Sequence, residues 1–568
     1  MPCLPPSRFP LLPSSSFSSS FLRHRKTGRL ARPSPQPHTS PILLRPTIVT
    51  STTSFPFFLP RRALFSHSAQ LRNMEVELSA PNGQKWSQPI GLFINNEWVK
   101  SSNDQKIASI NPATEEEICS VYAATADDVD KAVSAARKAL KQPSWKSISG
   151  TARGLLMSKL ADLVEANRTL LATVEALDNG KTFAAARDID VQEVIDVLRY
   201  YAGFADKNFG QVIDAGPSKF AYTIKQPLGV CGQIIPWNFP LAMAGWKIGP
   251  ALCCGNTIVL KLAEQTPLSM LVVGNLIKEA GFPPGVINII NGHGREAGAA
   301  LVKNVDVDKI AFTGSTATGK EIMRMAAGTM KNITLETGGK SPLIVFEDAN
   351  LDLAAIWSHI GIMSNQGQVC TATSRLLVHE SIYDSFIEKF KARIQKVSVV
   401  GDPFAESTFQ GPQVTKAQYE RVLGYIKSAE EEGATISLGG KPEPQQDKGF
   451  FISPTVFTDV KRTMKVFREE IFGPCVSVIK FKTEEEAIDL ANDTTYGLGA
   501  ALFTKNLTRA HRVAAEIEAG MVWINSSNDA DVRIPFGGVK QSGIGRELGE
   551  AGLASYYNIK SVHLNMES

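Results

Sequence analysis

The sequence lacks paired cysteines, a long apolar run, tandem repeats and, before Glu75, any acidic side chain. Its seven cysteines are odd in number and include no CxxC pair, which excludes a disulfide framework and a metal-ligand spacing. That usage fits a reducing compartment, and no metal site is expected. No run of about 18 apolar residues occurs, so no membrane-spanning helix is expected either. The acid-free leader carries nine Arg and one Lys, so the net charge of +4 becomes −6 once that +10 is set aside. This balance removes the whole-chain electrostatic case for a nucleic-acid partner.

What is present is a chain of 568 residues, 43% hydrophobic, long enough to bury large cores in more than one domain. Residues 1–73 are rich in Ser, Pro and Arg, the composition of an organelle transit peptide, with Arg61-Arg62-Ala63-Leu64-Phe65-Ser66 as a processing region. Mitochondrial import is the expectation. The alternative is translation from Met74 and a cytoplasmic protein.

From residue 224 short β-branched runs alternate with helical stretches, the pattern of βαβ units around a parallel sheet. Val230 to Ile235, Thr257 to Lys261, Val286 to Ile290, Lys309 to Phe312 and Asn332 to Glu336 read as strands, with helices near 267–280, 295–303 and 318–328. Residues 126–178 have helical periodicity, as in Val129-Ala132-Val133-Ala136 and Leu156-Leu160-Leu163, and should cover that sheet. A second α/β segment follows Ser341, with helices near 380–396, 416–431, 484–492 and 508–518 and a strand at Val476 to Phe481. Tyr556 to Leu564 alternates like a strand able to pair with another subunit.

Three short segments stand out chemically. Gly367-Gln368-Val369-Cys370 sets one Cys after a helical stretch; it is either an inert buried residue or a nucleophile. Pro236-Trp237-Asn238-Phe239-Pro240 follows a strand end, where two prolines fix the path around an Asn whose amide can donate to an oxyanion, unless it is simply a rigid turn. Leu335-Glu336-Thr337-Gly338-Gly339-Lys340 ends another strand with a carboxylate before flexible glycines. Open α/β sheets place their ligand crevices at carboxyl ends of strands, so the coincidence of these features favours a site over separate structural roles.

Together with Phe312-Thr313-Gly314-Ser315, Glu469-Glu470-Ile471-Phe472-Gly473-Pro474 and Pro535-Phe536-Gly537-Gly538, these segments resemble the aldehyde dehydrogenase superfamily from about Gly91 to Leu564. The resemblance implies oxidation of an aldehyde to a carboxylic acid. Cys370 would be the nucleophile, Asn238 with the Cys370 amide the oxyanion donors, and Glu336 the base that activates water. Relatives that pass the acyl group to coenzyme A commonly lack a carboxylate at the Glu336 position, so water is the expected acceptor. Ile234, Trp237, Lys261, Glu264, Gly294, Gly314, Ser315, Glu470 and Phe472 match cofactor positions. A carboxylate at Glu264 suits a ribose diol and repels a 2′-phosphate, so NAD⁺ is favoured, with NADP⁺ the alternative.

The implied architecture is α/β: a doubly wound parallel-sheet cofactor domain (75–206 and 228–338), a second α/β catalytic domain (339–540) and a small β oligomerisation element (207–227 and 541–568), behind a leader at 1–74. A homodimer or homotetramer is expected, with the last strand extending a neighbour's sheet. Met243, Trp246, Ser364 and Ala530 are assigned to the substrate pocket. Ser364 and Ala530 stand where small-aldehyde members often carry aromatics, and Ser526, Ser527 and Asn528 add polarity nearby, so a bulkier or more polar aldehyde is expected. Thr337 departs from the apolar residue usual there. Cys231, Cys253 and Cys254 read as core packing. Other readings are a semialdehyde or specialised-pathway enzyme, marked by a fixed charged group in the pocket, and a non-catalytic relative, marked by loss of Cys370 or Glu336; both residues are present.

Overall fold

The computed structural model describes residues 74–444 and 446–567. The expectations for the leader therefore lie outside the described residues.

The β-branched runs form the centre of an eight-stranded sheet. Its order is Gly543–Ile544, Asn332–Glu336, Lys309–Thr313, Val230–Ile234, Thr257–Lys261, Ile287–Ile290, Leu92–Ile94 and Glu97–Val99. The five central strands are parallel, and the flanking short ones are antiparallel. Val230–Ile234, Thr257–Lys261 and Ile287–Ile290 are buried at every position, as a parallel sheet covered on both faces requires. The first of these strands lies between the second and the fourth, so the winding reverses between Val230–Ile234 and Lys309–Thr313. That reversal opens a crevice at the carboxyl ends of those two strands.

Helices cover the sheet as their periodicity requires. Ala126–Lys141 starts at a Thr125 capping box closed by Asp128, carries Lys138 and Lys141 in its last turn, and buries Val129, Ala132, Val133 and Ala136. Gly150–Ala166 and Arg168–Asn179 follow, and Leu160 is buried while Leu156 and Leu163 pack half-buried against the core. Cys231, Cys253 and Cys254 are buried, as packing residues should be.

A second sheet has seven strands in the order Thr435–Leu438, Thr455–Thr458, Cys475–Phe481, Arg375–His379, Pro342–Val345, Gly499–Phe503 and Met521–Ile524. All pairs but the first are parallel. Helices Tyr383–Val397, Lys416–Glu431, Glu484–Asn492 and Leu507–Glu516 fall where the sequence places them. The molecule is thus α/β with doubly wound parallel sheets.

Two findings refine the C-terminal segment. Tyr557–Asn565 pairs antiparallel with Lys219–Pro227 of its own chain, and Val212–Asp214 completes that three-stranded sheet. Gly543–Ile544, grouped by sequence with the arm, instead closes the edge of the first sheet against Leu335 and Glu336. A two-residue strand carries no periodicity, so the sequence gives no sign of it.

Candidate active site

Four chain segments converge on the crevice. The strand Val230–Ile234 runs into Pro236 to Phe239 before the helix Pro240–Cys253, whose first residue is a proline with φ already suited to the turn. The strand Lys309–Thr313 runs through Gly314 to Ser315, which caps the helix Thr316–Ala326 by accepting from the Thr318 amide. Asn332–Glu336 delivers Glu336 at its last position. The helix Leu351–Met363 ends in a left-handed run, Asn365 (φ 48°), Gln366 (φ 58°) and Gly367 (φ 71°), that turns the chain toward Cys370.

That run is strained for ordinary residues, and Gly367 is fixed twice, because a Cβ there would collide with the Gly473 carbonyl. Gly367→Ala is expected to destabilise the fold by about 2–4 kcal/mol through backbone strain and overpacking. It should also lower turnover by displacing Cys370, which a thermal melt and an activity assay together check.

The segments enclose a cavity of about 360 Å³ lined by Trp237, Asn238, Met243, Trp246, Gly314, Ser315, Glu336, Cys370, Glu470 and Phe472. Ten of the sequence-assigned residues thus share one space. Ile234, Lys261, Glu264 and Gly294 do not line it; Lys261 and Glu264 form a 2.8 Å ion pair at the neighbouring strand end, and the Gly294 amide faces Glu264. Ser364 and Ala530 also lie outside its wall. Ser364 is the C-cap of its helix; the Ser527 hydroxyl bonds Thr373, the Asn528 side-chain N–H donates to the Gly361 carbonyl, and neither residue lines the cavity.

Asn238 is buried, and its amide donates to the Gln368 carbonyl at 3.0 Å, two residues before Cys370. An amide carries two N–H donors, so one remains for a ligand. The Asn238 backbone carbonyl accepts from Lys181 Nζ at 3.0 Å; that lysine also pairs with buried Asp190 and sits 4.2 Å from the Phe239 ring centroid.

Acidic groups crowd the thiol. Glu336 is buried, and neither carboxyl oxygen has a hydrogen-bond partner among the described residues. Burial and then the Glu547 charge hold its carboxyl well above the usual range, with Lys247 opposing. Glu470 accepts the Gly339 amide at 3.1 Å, and burial pushes it up to about 7. Burial, Glu470 and Glu336 push the Cys370 thiol up to about 12, so it rests as a neutral thiol. Thr337 donates to the Gln541 carbonyl at 2.7 Å and its amide bonds to the Ser542 carbonyl, which pins the strand end bearing Glu336.

Sequence reasoning misses Glu193, Lys247 and Glu547. Lys247 Nζ bonds Glu547 at 2.7 Å and Thr313 at 2.6 Å, and both Glu193 and Glu547 line the cavity. Each is a charge outside any recognised motif, and only an acid or lysine at a position expected to be buried could have marked it. Trp237 and Phe472 meet edge to face, with centroids 5.3 Å apart.

Comparison with known proteins gives a single pattern. Residues 98–562 match the family model described as "Aldehyde dehydrogenase family". An aldehyde dehydrogenase of Alternaria alternata is 55% identical over 492 residues, covering 86% of this chain and 98% of that protein. A mitochondrial aldehyde dehydrogenase of Mesocricetus auratus is 50% identical over 490 residues, covering 86% and 97%. The solved NAD⁺ complex of the aldehyde dehydrogenase from Bacillus cereus superposes with a TM-score of 0.83 at 48% identity, covering 84% of this chain and 97% of that one.

Proposed function

Since the chain belongs to the aldehyde dehydrogenase family and is an oxidoreductase acting on aldehydes, we propose that it oxidises its aldehyde with NAD⁺ through a thioester on Cys370 that water hydrolyses. The convergence of Cys370, Glu336 and Asn238 on one cavity carries this reading.

Cys370 Sγ adds to the carbonyl carbon as the thiol proton passes to the Glu336 carboxylate, and the oxygen takes up the negative charge. The free Asn238 N–H and the Cys370 amide stabilise that oxygen in a site partly closed to water. When bound, the nicotinamide supplies the hydride acceptor. Collapse of the oxyanion expels the hydride and leaves the thioester. Glu336 then takes a proton from water, the new C–O bond forms, the C–S bond breaks, and the thiolate is reprotonated. A buried carboxylate with no fixed partner is free to accept each proton, and the Glu547 and Lys247 pair beside it offers an onward route. Asn238→Ala is expected to lower kcat by about 100- to 1000-fold with a smaller change in KM, checked by steady-state kinetics.

The residues fit a dinucleotide. Thr316 and Ala317 bring the unpaired first amides of an eleven-residue helix to the cavity wall beside Gly314 and Ser315, a setting for pyrophosphate. Burial works against ionisation of Glu264, but the Lys261 ammonium outweighs it and holds that carboxyl below its usual range. A carboxylate there accepts ribose hydroxyls and repels a 2′-phosphate. Glu264→Gln is therefore expected to move the kcat/KM ratio of NAD⁺ over NADP⁺ toward NADP⁺ by about tenfold; an unchanged ratio removes Glu264 from cofactor choice.

Two coarser features complete the reading. The Arg-rich, acid-free leader and the mitochondrial relative support import; a mature N-terminus near Ser66 agrees with it, and one at Met74 contradicts it. Exposed Phe209, Val212, Ile213, Phe220, Ile559 and Leu564, on or beside the three-stranded sheet, support its burial in a homodimer or homotetramer, which the mass of the native particle tests.

A further inference from the structure

One titratable group in the cavity has no part in the chemistry above. Glu193 sits on the helix Val191–Phe204, is 4% exposed and lines the same cavity as Cys370. Its Oε1 accepts the Trp246 indole N–H at 2.8 Å, which fixes the carboxyl in place. That is the one hydrogen bond its carboxyl makes with a described side chain. Phe239, Met243, Trp246 and Phe536 give the same space an apolar, aromatic side, and Trp246 meets Phe536 edge to face at 4.8 Å.

An acid in such a wall is costly unless something satisfies it. An all-apolar aldehyde would leave its second oxygen buried without a partner. A substrate bearing a hydroxyl would complete it, and sites built to hydrogen-bond a substrate group discriminate strongly against analogues that lack the group.

We infer that Glu193 is a specificity-determining residue, selecting aldehydes whose flat apolar body carries a hydroxyl that hydrogen-bonds its free carboxyl oxygen. The inference rests on the oxidation reading and deepens it by naming the substrate class. Burial raises the Glu193 carboxyl, and the Asp190 charge pushes the same way against the Trp246 hydrogen bond and the Lys181 charge. A hydroxyl both donates and accepts, so it can complete this carboxyl whether or not the carboxyl carries a proton. The aromatic walls suit a ring, which stacks on their faces or meets their edges.

The test compares kcat/KM for phenylacetaldehyde and its para-hydroxy derivative, so that each enzyme is its own reference. The full chain is expected to prefer the hydroxylated aldehyde by about tenfold or more. Glu193→Leu should bring the ratio near one, and Trp246→Phe, which frees the carboxyl without removing it, should lower it partway. A wild-type ratio near one overturns the inference even if Glu193→Leu does not fold. A ratio that survives Glu193→Leu also overturns it, as does a stronger wild-type preference for the para-aminomethyl derivative. Turnover of both aldehydes at equal rates leaves the oxidation reading standing while this inference fails; turnover of neither sinks both.

Discussion

Cys370→Ala is expected to reduce aldehyde oxidation by roughly 10⁴- to 10⁶-fold, the scale on which covalent catalysis is lost when its nucleophile is removed. No other thiol can take over. Among the described cysteines, Cys119, Cys231, Cys253, Cys254 and Cys475 are buried, and none of them lines the cavity. The methyl group leaves the left-handed turn and the Asn238 to Gln368 bond in place, so the loss should fall on kcat rather than on folding. A melting temperature within a few degrees of wild type, measured beside the rates, separates the two. Retention of more than about a tenth of wild-type turnover would remove Cys370 from the reaction.

Glu336→Gln should produce the second-largest effect, and of a different kind. Its amide cannot accept a proton, so deacylation is expected to slow by about 100- to 10,000-fold. The first turnover still forms the thioester, more slowly than in wild type, giving a burst of reduced cofactor followed by a stall. In the wild type the active form of the base is the carboxylate. Because burial and Glu547 raise its pKa well above the ordinary value, hydrolysis should climb with pH above the usual carboxylate range. The Gln variant should lose that limb. The same shift has a stability consequence with a definite sign. A carboxyl raised on folding contributes stability below its unfolded pKa, and that contribution is lost as pH rises through the folded value. Thermal melts should therefore show the Gln variant gaining on wild type as pH increases, and a variant that instead loses ground to wild type with rising pH would contradict a buried, raised Glu336.

Much of this molecule is legible in its sequence because fully buried parallel strands need unbroken β-branched runs, and those runs end at the motif residues. Asn332 to Glu336 reads as a strand and is one, and Glu336 stands at its end. Boundaries shift where capping outweighs periodicity: the helix expected near 318 begins at Thr316 because Ser315 caps it, and the one expected near 295 opens as a wide turn, Gly294–Gly298, before Ala299–Lys303. The pocket is less legible. Ser364 and Ala530 are placed by position in a motif, yet neither lines the cavity. Glu193 and Glu547 reach it from helices and turns distant in sequence, where a lone acid reads as a solvated face. Topology, not local pattern, brings them beside Cys370. Glu193 belongs to no sequence motif and yet lines the folded cavity.

The most direct test of covalent oxidation is mass spectrometry of Glu336→Gln quenched after the burst and digested. A mass increase equal to the acyl group on the peptide carrying Cys370, absent from the Cys370→Ala double variant, is the expected result. An unmodified Cys370 peptide from an enzyme that has formed reduced cofactor would contradict the thioester and require a reaction without a covalent bond to Cys370.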